Sequence, residues 1–279
     1  MLVGLALLRA ANALLLGGRG GCHAPRAVVH NTLATLDDAA WELGADIEGS
    51  EGAAACHAVF ANLAASAEFA SDTWAKRPLL LTSPPADFSG SFTMADVEAA
   101  VESDFLDAGR GVSGGGGGWK MAQVSQPRGS SYADAKMRYC DVQEALKSGT
   151  VVFNSAGFNI PKLAAVSLAA IDAFGLPNCL NLYLTAAGMR TSAPPHTDKQ
   201  DVFVLQTAGS KHWRVFDPPP PAQKADADPL ARGKAHDALP LSELAPPLID
   251  AVLAPGQLLY IPAGWPHTTD TVHEAAATR

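Results

Sequence analysis

The chain has 279 residues, 48% of them hydrophobic and 17% charged, with a formal net charge of −8 at pH 7. This length suits one large domain or two modest ones with ample apolar material for a core. The acidic balance and the lack of a basic run argue against non-specific nucleic-acid binding, and four scattered cysteines (Cys22, Cys56, Cys140 and Cys179), with no C-x-x-C pair, argue against a disulfide framework or a zinc knuckle.

The first segment, "MLVGLALLRAANALLLGGRGGCHAPRAVVHNTLATL", carries Arg9, Arg19 and Arg26 and has no acidic residue before Asp37. Its two apolar runs are too short to span a bilayer. Residues 1–36 therefore read either as a leader, organellar or secretory, or as an N-terminal amphipathic helix. Residues 37–70, "DDAAWELGADIEG" and "ACHAVFANLAASAEFA" within them, are Ala-rich with helical apolar spacing. "SDTWAKRPLLLTSPP" runs from a helix end into an extended apolar segment stopped by prolines. "TMADVEAAVESDFLDAG" predicts a helix with Thr93 as N-cap. Gly114–Gly118 predicts a flexible surface loop. "YCDVQEALKSGTVVFNSAG" reads as helix then strand, and "NIPKLAAVSLAAIDAFGLP" as a helix stopped by Gly175 and Pro177.

From Asn181 the pattern changes to short strands separated by turn residues: "LNLYLT", "DVFVLQTAG", "KHWRVFD", "LIDAVLAP", "GQLLYIPAG" and "WPHTTDTV". Between them "PPPPAQKADADPLARGKAHDALPLSEL" predicts a long surface insertion. Helices followed by clustered short strands predict a mainly β jelly roll with a helical N-terminal part. The expected division is a possible leader over 1–36, a helical part over 37–150 and a β core over 151–279.

Three positions carry the chemistry. Residues i and i+2 of a strand face one side, so "PPHTD" presents His196 and Asp198 to one point. Pro194 and Pro195 suit an edge strand at a barrel mouth. "APGQLLYIPAGWPHTTD" brings His267 from a separate strand. Two imidazoles and one carboxylate on one face of a metal leave open positions, the pattern of non-haem Fe(II) oxygenases. In "KHWRVF" the same-side set is Lys211, Trp213 and Val215. An inward lysine among apolar neighbours is costly unless it meets an anion, such as the far carboxylate of a dicarboxylic co-substrate. In "NLYLT", Asn181, Tyr183 and Thr185 face one side and the leucines the other, which fits a strand lining a polar cavity. Each residue alone has a plainer reading: a surface His beside a solvated Asp, a solvated edge lysine, a half-buried tyrosine. Asp201 is a second carboxylate, out of phase with His196. His23, His30, His57, His212, His236 and His273 lack partner spacing and read as surface or loop residues.

"NLYLTAAG", "PPHTDKQDVFVLQTAGSKHWRVF" and "LAPGQLLYIPAGWPHTTDT", with "WAKRPLLL" and "ALKSGTVVFNSAG", resemble the JmjC-type cupin domains of the ribosomal oxygenase group over roughly residues 60–273. The resemblance implies a double-stranded β-helix and an Fe(II)- and 2-oxoglutarate-dependent protein hydroxylase. It implies His196, Asp198 and His267 as iron ligands. Lys211 matches the lysine that binds the 2-oxoglutarate distal carboxylate, and Asn181 and Tyr183 the polar pair near it. The implied substrate is a histidyl or arginyl residue of a ribosomal protein, with histone lysine demethylation and a non-catalytic metal-binding cupin as rivals. A nuclear or nucleolar location is implied, or an organellar one if the leader reading holds. The family continues past the last ligand with another strand, a dimerisation region and a winged-helix domain. Here "HEAAATR" follows instead, so the expectation is a truncated roll with an exposed sheet edge beside His267 and doubtful dimerisation.

Overall fold

Strand alternation sorts the side chains of this protein into two cores. The structure, a computed structural model, describes residues 2–9, 50–102, 119–123, 130–131, 138–147, 149–218 and 239–272. Among the described residues, twelve strands form two sheets, and every pairing is antiparallel. The strands are β1 (Leu2–Arg9), β2 (Leu79–Leu81), β3 (Trp119–Gln123), β4 (Ser130–Ser131), β5 (Gly149–Phe153), β6 (Asn178–Thr185), β7 (Ala193–His196), β8 (Val202–Ala208), β9 (Lys211–Val215), β10 (Ile249–Leu253), β11 (Leu258–Ile261) and β12 (His267–Asp270). The larger sheet runs β2-β11-β8-β1-β6-β5-β3-β4 and the smaller β10-β9-β12-β7. This is the jelly roll that the strand spacing predicts, with β7 at a sheet edge as its prolines require.

On the outer face of the large sheet, Leu180, Leu182, Leu184, Phe203, Leu205, Leu258 and Tyr260 join one core with the helices. On its inner face Val202, Val204, Leu259 and Ile261 join Val215 and Leu253 of the small sheet in a second core, with Tyr183, Trp213 and Trp265 packed against it. That second core is the interior of the roll. Leucine on one side of β6 and polar residues on the other follow from this division.

The helices are α1 (Ser50–Ala65), α2 (Met94–Glu102), α3 (Tyr139–Leu146), α4 (Ala156–Asn159) and α5 (Pro161–Phe174), with a π-helical turn at Phe69–Thr73. Thr93 caps α2 as expected: the Asp96 carboxylate accepts its backbone N–H at 2.7 Å and its hydroxyl at 2.9 Å. α5 ends at Gly175, whose left-handed φ of 62° brings its N–H onto the Ile171 carbonyl. The expected helix over 37–49, the Gly114–Gly118 loop and residues 219–238 of the insertion lie outside the described residues. No helix among the described residues is long and apolar enough to cross a membrane.

Three expectations need correction. Residues 2–9, for which the alternative to a leader was an amphipathic helix, form the strand β1, paired with β6 on one side and β8 on the other. The expected exposed edge beside His267 is not there, because β12 lies between β9 and β7, and the interior position in the large sheet between β6 and β8 is held by β1. His57 and His212, read as unpartnered, both have partners. His57 Nε2 lies 2.5 Å from Asp172 of α5. On the outward row of β9, His212 bridges Asp250 of β10 at 2.5 Å and Asp270 of β12 at 2.9 Å.

β1 offers a direct test of the large sheet. Ala6 stands opposite Asn181 on one side and Val204 on the other. Ala6→Pro removes a ladder donor from an interior strand and leaves a carbonyl unpaired, a loss of about 1–3 kcal/mol. The expected outcome in a thermal melt is a midpoint lowered by several degrees. An unchanged midpoint would show that β1 adds nothing to the fold.

Candidate metal centre

The two imidazoles meet because the strands that carry them are neighbours. His196 closes β7, His267 opens β12, and the two stand directly opposite in the antiparallel register. Their ring centroids are 4.2 Å apart, and both side chains are buried. Each ring rests its Nδ1 on a backbone carbonyl, His196 on Pro194 at 2.7 Å and His267 on Trp265 at 3.0 Å. A carbonyl only accepts, so Nδ1 carries the proton and Nε2 keeps its lone pair.

Asp198 completes the group. Its Oδ2 lies 3.8 Å from Nε2 of His196 and 3.5 Å from Nε2 of His267. Strand periodicity is not what puts it there, since β7 stops at His196. Asp198 sits in the following loop, whose position is set by the Asp198 carbonyl accepting the Gly264 N–H at 2.7 Å. Gly264 has φ of 79°, a conformation suited to glycine. The ligand atoms of His196, Asp198 and His267 all lie within 4.8 Å of one another, and this is the one such group among the described residues. Two buried imidazoles offering Nε2 and one half-buried carboxylate suit a divalent transition metal.

Lys211 opens β9 and is buried on the same inward row as Trp213. Its Nζ donates to Thr185 Oγ1 at 2.9 Å. Burial pushes its ammonium down from 10.5 to about 8. It forms no ion pair with the described residues, so an anionic ligand would relieve that desolvation.

Thr185 is the β6 residue that meets Lys211, and "NLYLT" signals it through its alternation. Its hydroxyl is 3.1 Å from that of Thr150, which donates to the Ser192 carbonyl at 3.1 Å. The Ser192 and Thr269 hydroxyls are 2.6 Å apart. Asn181 shares the inward row, but its Oδ1 accepts the Ser155 N–H at 2.8 Å, bracing the turn into α4, where Ser155 has a left-handed φ of 55°. Tyr183 is half-buried against the inner core.

Asp201 is not a member of the ligand group, and what it does was not legible from its phase. It is buried, and its Oδ1 accepts the Tyr260 hydroxyl at 3.0 Å and the Ala263 N–H at 3.1 Å. Tyr260 in turn accepts the Ala75 N–H at 2.8 Å, and Trp74 stacks on its ring at 5.6 Å. Asp201 therefore ties the loop bearing Asp198 to the turn that precedes His267 and, through Tyr260, to the helical part. Asp201→Ala would leave the buried Tyr260 hydroxyl without its acceptor, at about 1–3 kcal/mol, and would free the Ala263 N–H at the exposed turn. Urea denaturation should show that loss of stability, and zinc affinity should fall with it. Unchanged values would mean the two loops hold together without the clamp.

A JmjC domain profile matches residues 164–278. Ribosomal oxygenase 1 of Gallus gallus is 29% identical over 223 residues, covering 76% of this chain and 33% of that protein. The bifunctional lysine-specific demethylase and histidyl-hydroxylase NO66 of Aedes aegypti is 25% identical over 208 residues, covering 74% of this chain and 31% of that protein. The Escherichia coli ribosomal oxygenase YcfD, solved with cobalt and succinic acid, is similar at 20% identity with a TM-score of 0.47, over 74% of this chain and 47% of that one. The chain thus spans about a third of the length of these curated relatives.

Proposed function

We propose, for a chain that belongs to the JmjC-domain proteins of the ribosomal oxygenase group, that it is an Fe(II)- and 2-oxoglutarate-dependent dioxygenase that hydroxylates a protein side chain. One observation carries this reading. His267 of a donor set of two imidazoles and one carboxylate stands on the same face of neighbouring strands as a buried lysine with no counter-ion among the described residues. Iron with 2-oxoglutarate supplies the oxidation, in which the acid loses CO₂ to give succinate and one oxygen atom of O₂ enters a substrate C–H bond.

The residues of the chain have distinct parts in this. His196 and His267 offer Nε2, held in that tautomer by the Pro194 and Trp265 carbonyls. The Asp198 carboxylate offsets the charge of the dication. Lys211 holds the far carboxylate of the acid, and Thr185 orients its ammonium. Asn181 and Tyr183 are assigned as polar contacts on the same inward row. Val202, Val204, Leu259 and Ile261 keep water from the wall behind the site.

The substrate class is a histidyl or arginyl residue of a ribosomal protein, a reading that the names of the relatives support. Lysine demethylation is the second reading, because the Aedes aegypti relative carries both activities in its name. Iron-dependent succinate release from 2-oxoglutarate separates an oxygenase from a non-catalytic metal-binding cupin. A peptide array then decides between the two chemistries. A gain of one oxygen supports hydroxylation, and loss of a methyl group as formaldehyde supports demethylation.

A further inference from the structure

Among the exposed large hydrophobic side chains of the described residues, Phe158 is the one aromatic and the most exposed, at 78%. A lone exposed apolar residue is ordinary on a protein surface, but the mounting of this one is not. Phe158 stands on α4, and the turn that leads into α4 is tied down at each step. Ser155 holds a left-handed φ of 55°, which a residue other than glycine keeps only where its surroundings enforce it. Its N–H donates to Asn181 Oδ1 at 2.8 Å. Its carbonyl accepts the Phe158 N–H at 2.9 Å and Asn159 Nδ2 at 3.4 Å. A Cβ at Gly157 would strike Ser167 of α5 and crowd Leu180 of β6. The ring is thus held out into solvent on a fixed pedestal.

The register places that pedestal at the metal end of the roll. Phe153, the last residue of β5, stands opposite Leu182 of β6, so the turn emerges beside the first half of β6. At that end Cys179 of β6 pairs with Leu8 of β1, and Leu8 with Val202 of β8. The loop bearing Asp198 enters β8 at Val202. Thr185, which meets Lys211, closes β6 at the opposite end.

We infer that Phe158 is a docking residue for the polypeptide substrate, and that its ring takes an apolar side chain of the segment that carries the target residue. This rests on the function proposed above. The occupant is the substrate because Asn181, which braces the pedestal, belongs to the row that lines the roll interior. The ring therefore continues the wall of the site instead of marking a remote face. An apolar contact suits it, since burial of an exposed ring is favourable and a rigid mounting leaves little to be ordered on binding.

Phe158→Ser and Phe158→Tyr test the assignment in the full, iron-loaded chain. The probe is the protein fraction of purified ribosomes, freed of RNA, and the readout is the succinate release that it stimulates at saturating 2-oxoglutarate. In Phe158→Ser the protein concentration for half-maximal stimulation should rise roughly ten- to a hundredfold, as for truncation of an aromatic anchor, with kcat changed much less. Phe158→Tyr, which keeps the ring, should stay close to the unaltered chain. Affinities for Mn(II) and 2-oxoglutarate and the thermal midpoint should hold in both variants, because the ring lies outside the core. Equal half-saturation in Phe158→Ser and the unaltered chain would overturn the assignment alone, as would equal weakening in the two variants. Loss of metal affinity and midpoint in Phe158→Ser would give the residue a role in the fold, which also overturns it. Failure of the ribosomal proteins to stimulate the unaltered chain would overturn the proposed substrate class, and this assignment with it.

Discussion

Replacing His196, Asp198 or His267 by alanine is expected to abolish iron-dependent turnover of 2-oxoglutarate. The three ligand atoms lie within 4.8 Å of one another, and they form the one such group among the described residues. Asp201, the nearest carboxylate in sequence, is already engaged by Tyr260 and Ala263. Loss of any one ligand leaves a two-coordinate site with low affinity for Fe(II). Anaerobic Fe(II) titration and a succinate-release assay should lose signal together in each variant. The Pro194 and Trp265 carbonyls act only by orienting His196 and His267, so the fold itself should survive the substitutions. Full activity in one variant would remove that residue from the ligand set.

Lys211→Ala should give the second large effect, and on a different quantity. Breaking a buried charge pair on one side costs about 3–5 kcal/mol, which is roughly a few hundredfold or more in affinity. The 2-oxoglutarate affinity should fall by that factor, while Fe(II) affinity holds because Lys211 touches no ligand. Retained 2-oxoglutarate affinity would show that another cation holds the far carboxylate. The pH dependence follows from the same burial. Folding lowers the ammonium from 10.5 to about 8. Between those values the unfolded chain binds the extra proton, so the contribution of Lys211 to the stability of the unliganded protein rises with pH through that window. Co-substrate affinity runs the other way, because the acid binds the charged form, and it should decline as pH rises above about 8. Lys211→Met, which buries an apolar chain of similar length, should raise the unliganded thermal midpoint at neutral pH while abolishing tight 2-oxoglutarate binding.

Much of the site was legible because its signals are local. His196 and Asp198 lie two apart, a proline pair marks the edge strand, and Lys211 and Trp213 share a row through period two. Alternation in "NLYLT" separated the leucine face from the polar face of β6, and the structure places those faces in the helical core and toward the roll interior. The same rule misled for Asp198. It treated the residue as strand, whereas a backbone bond from Gly264, distant in sequence, holds it in a loop. Alternation placed Thr185 on the inward side but did not pair it with Lys211, since which inward side chain meets which depends on how two sheets face each other.

By itself, the sequence determined the jelly-roll class, the donor types at the centre and the faces of its strands, because each is written in spacing over a few residues. Only the tertiary structure decided the rest. An apolar run such as "LVGLALLR" suits a helix, a leader or a strand equally. It became an interior strand because the rows of unpaired N–H and C=O groups on β6 and β8 accept it in register. Asp201 acquired its role from Tyr260 and Ala263, and His212 its carboxylates from β10 and β12. Those contacts join residues far apart along the chain. Their energies depend on burial and register, which exist only once the sheets have closed.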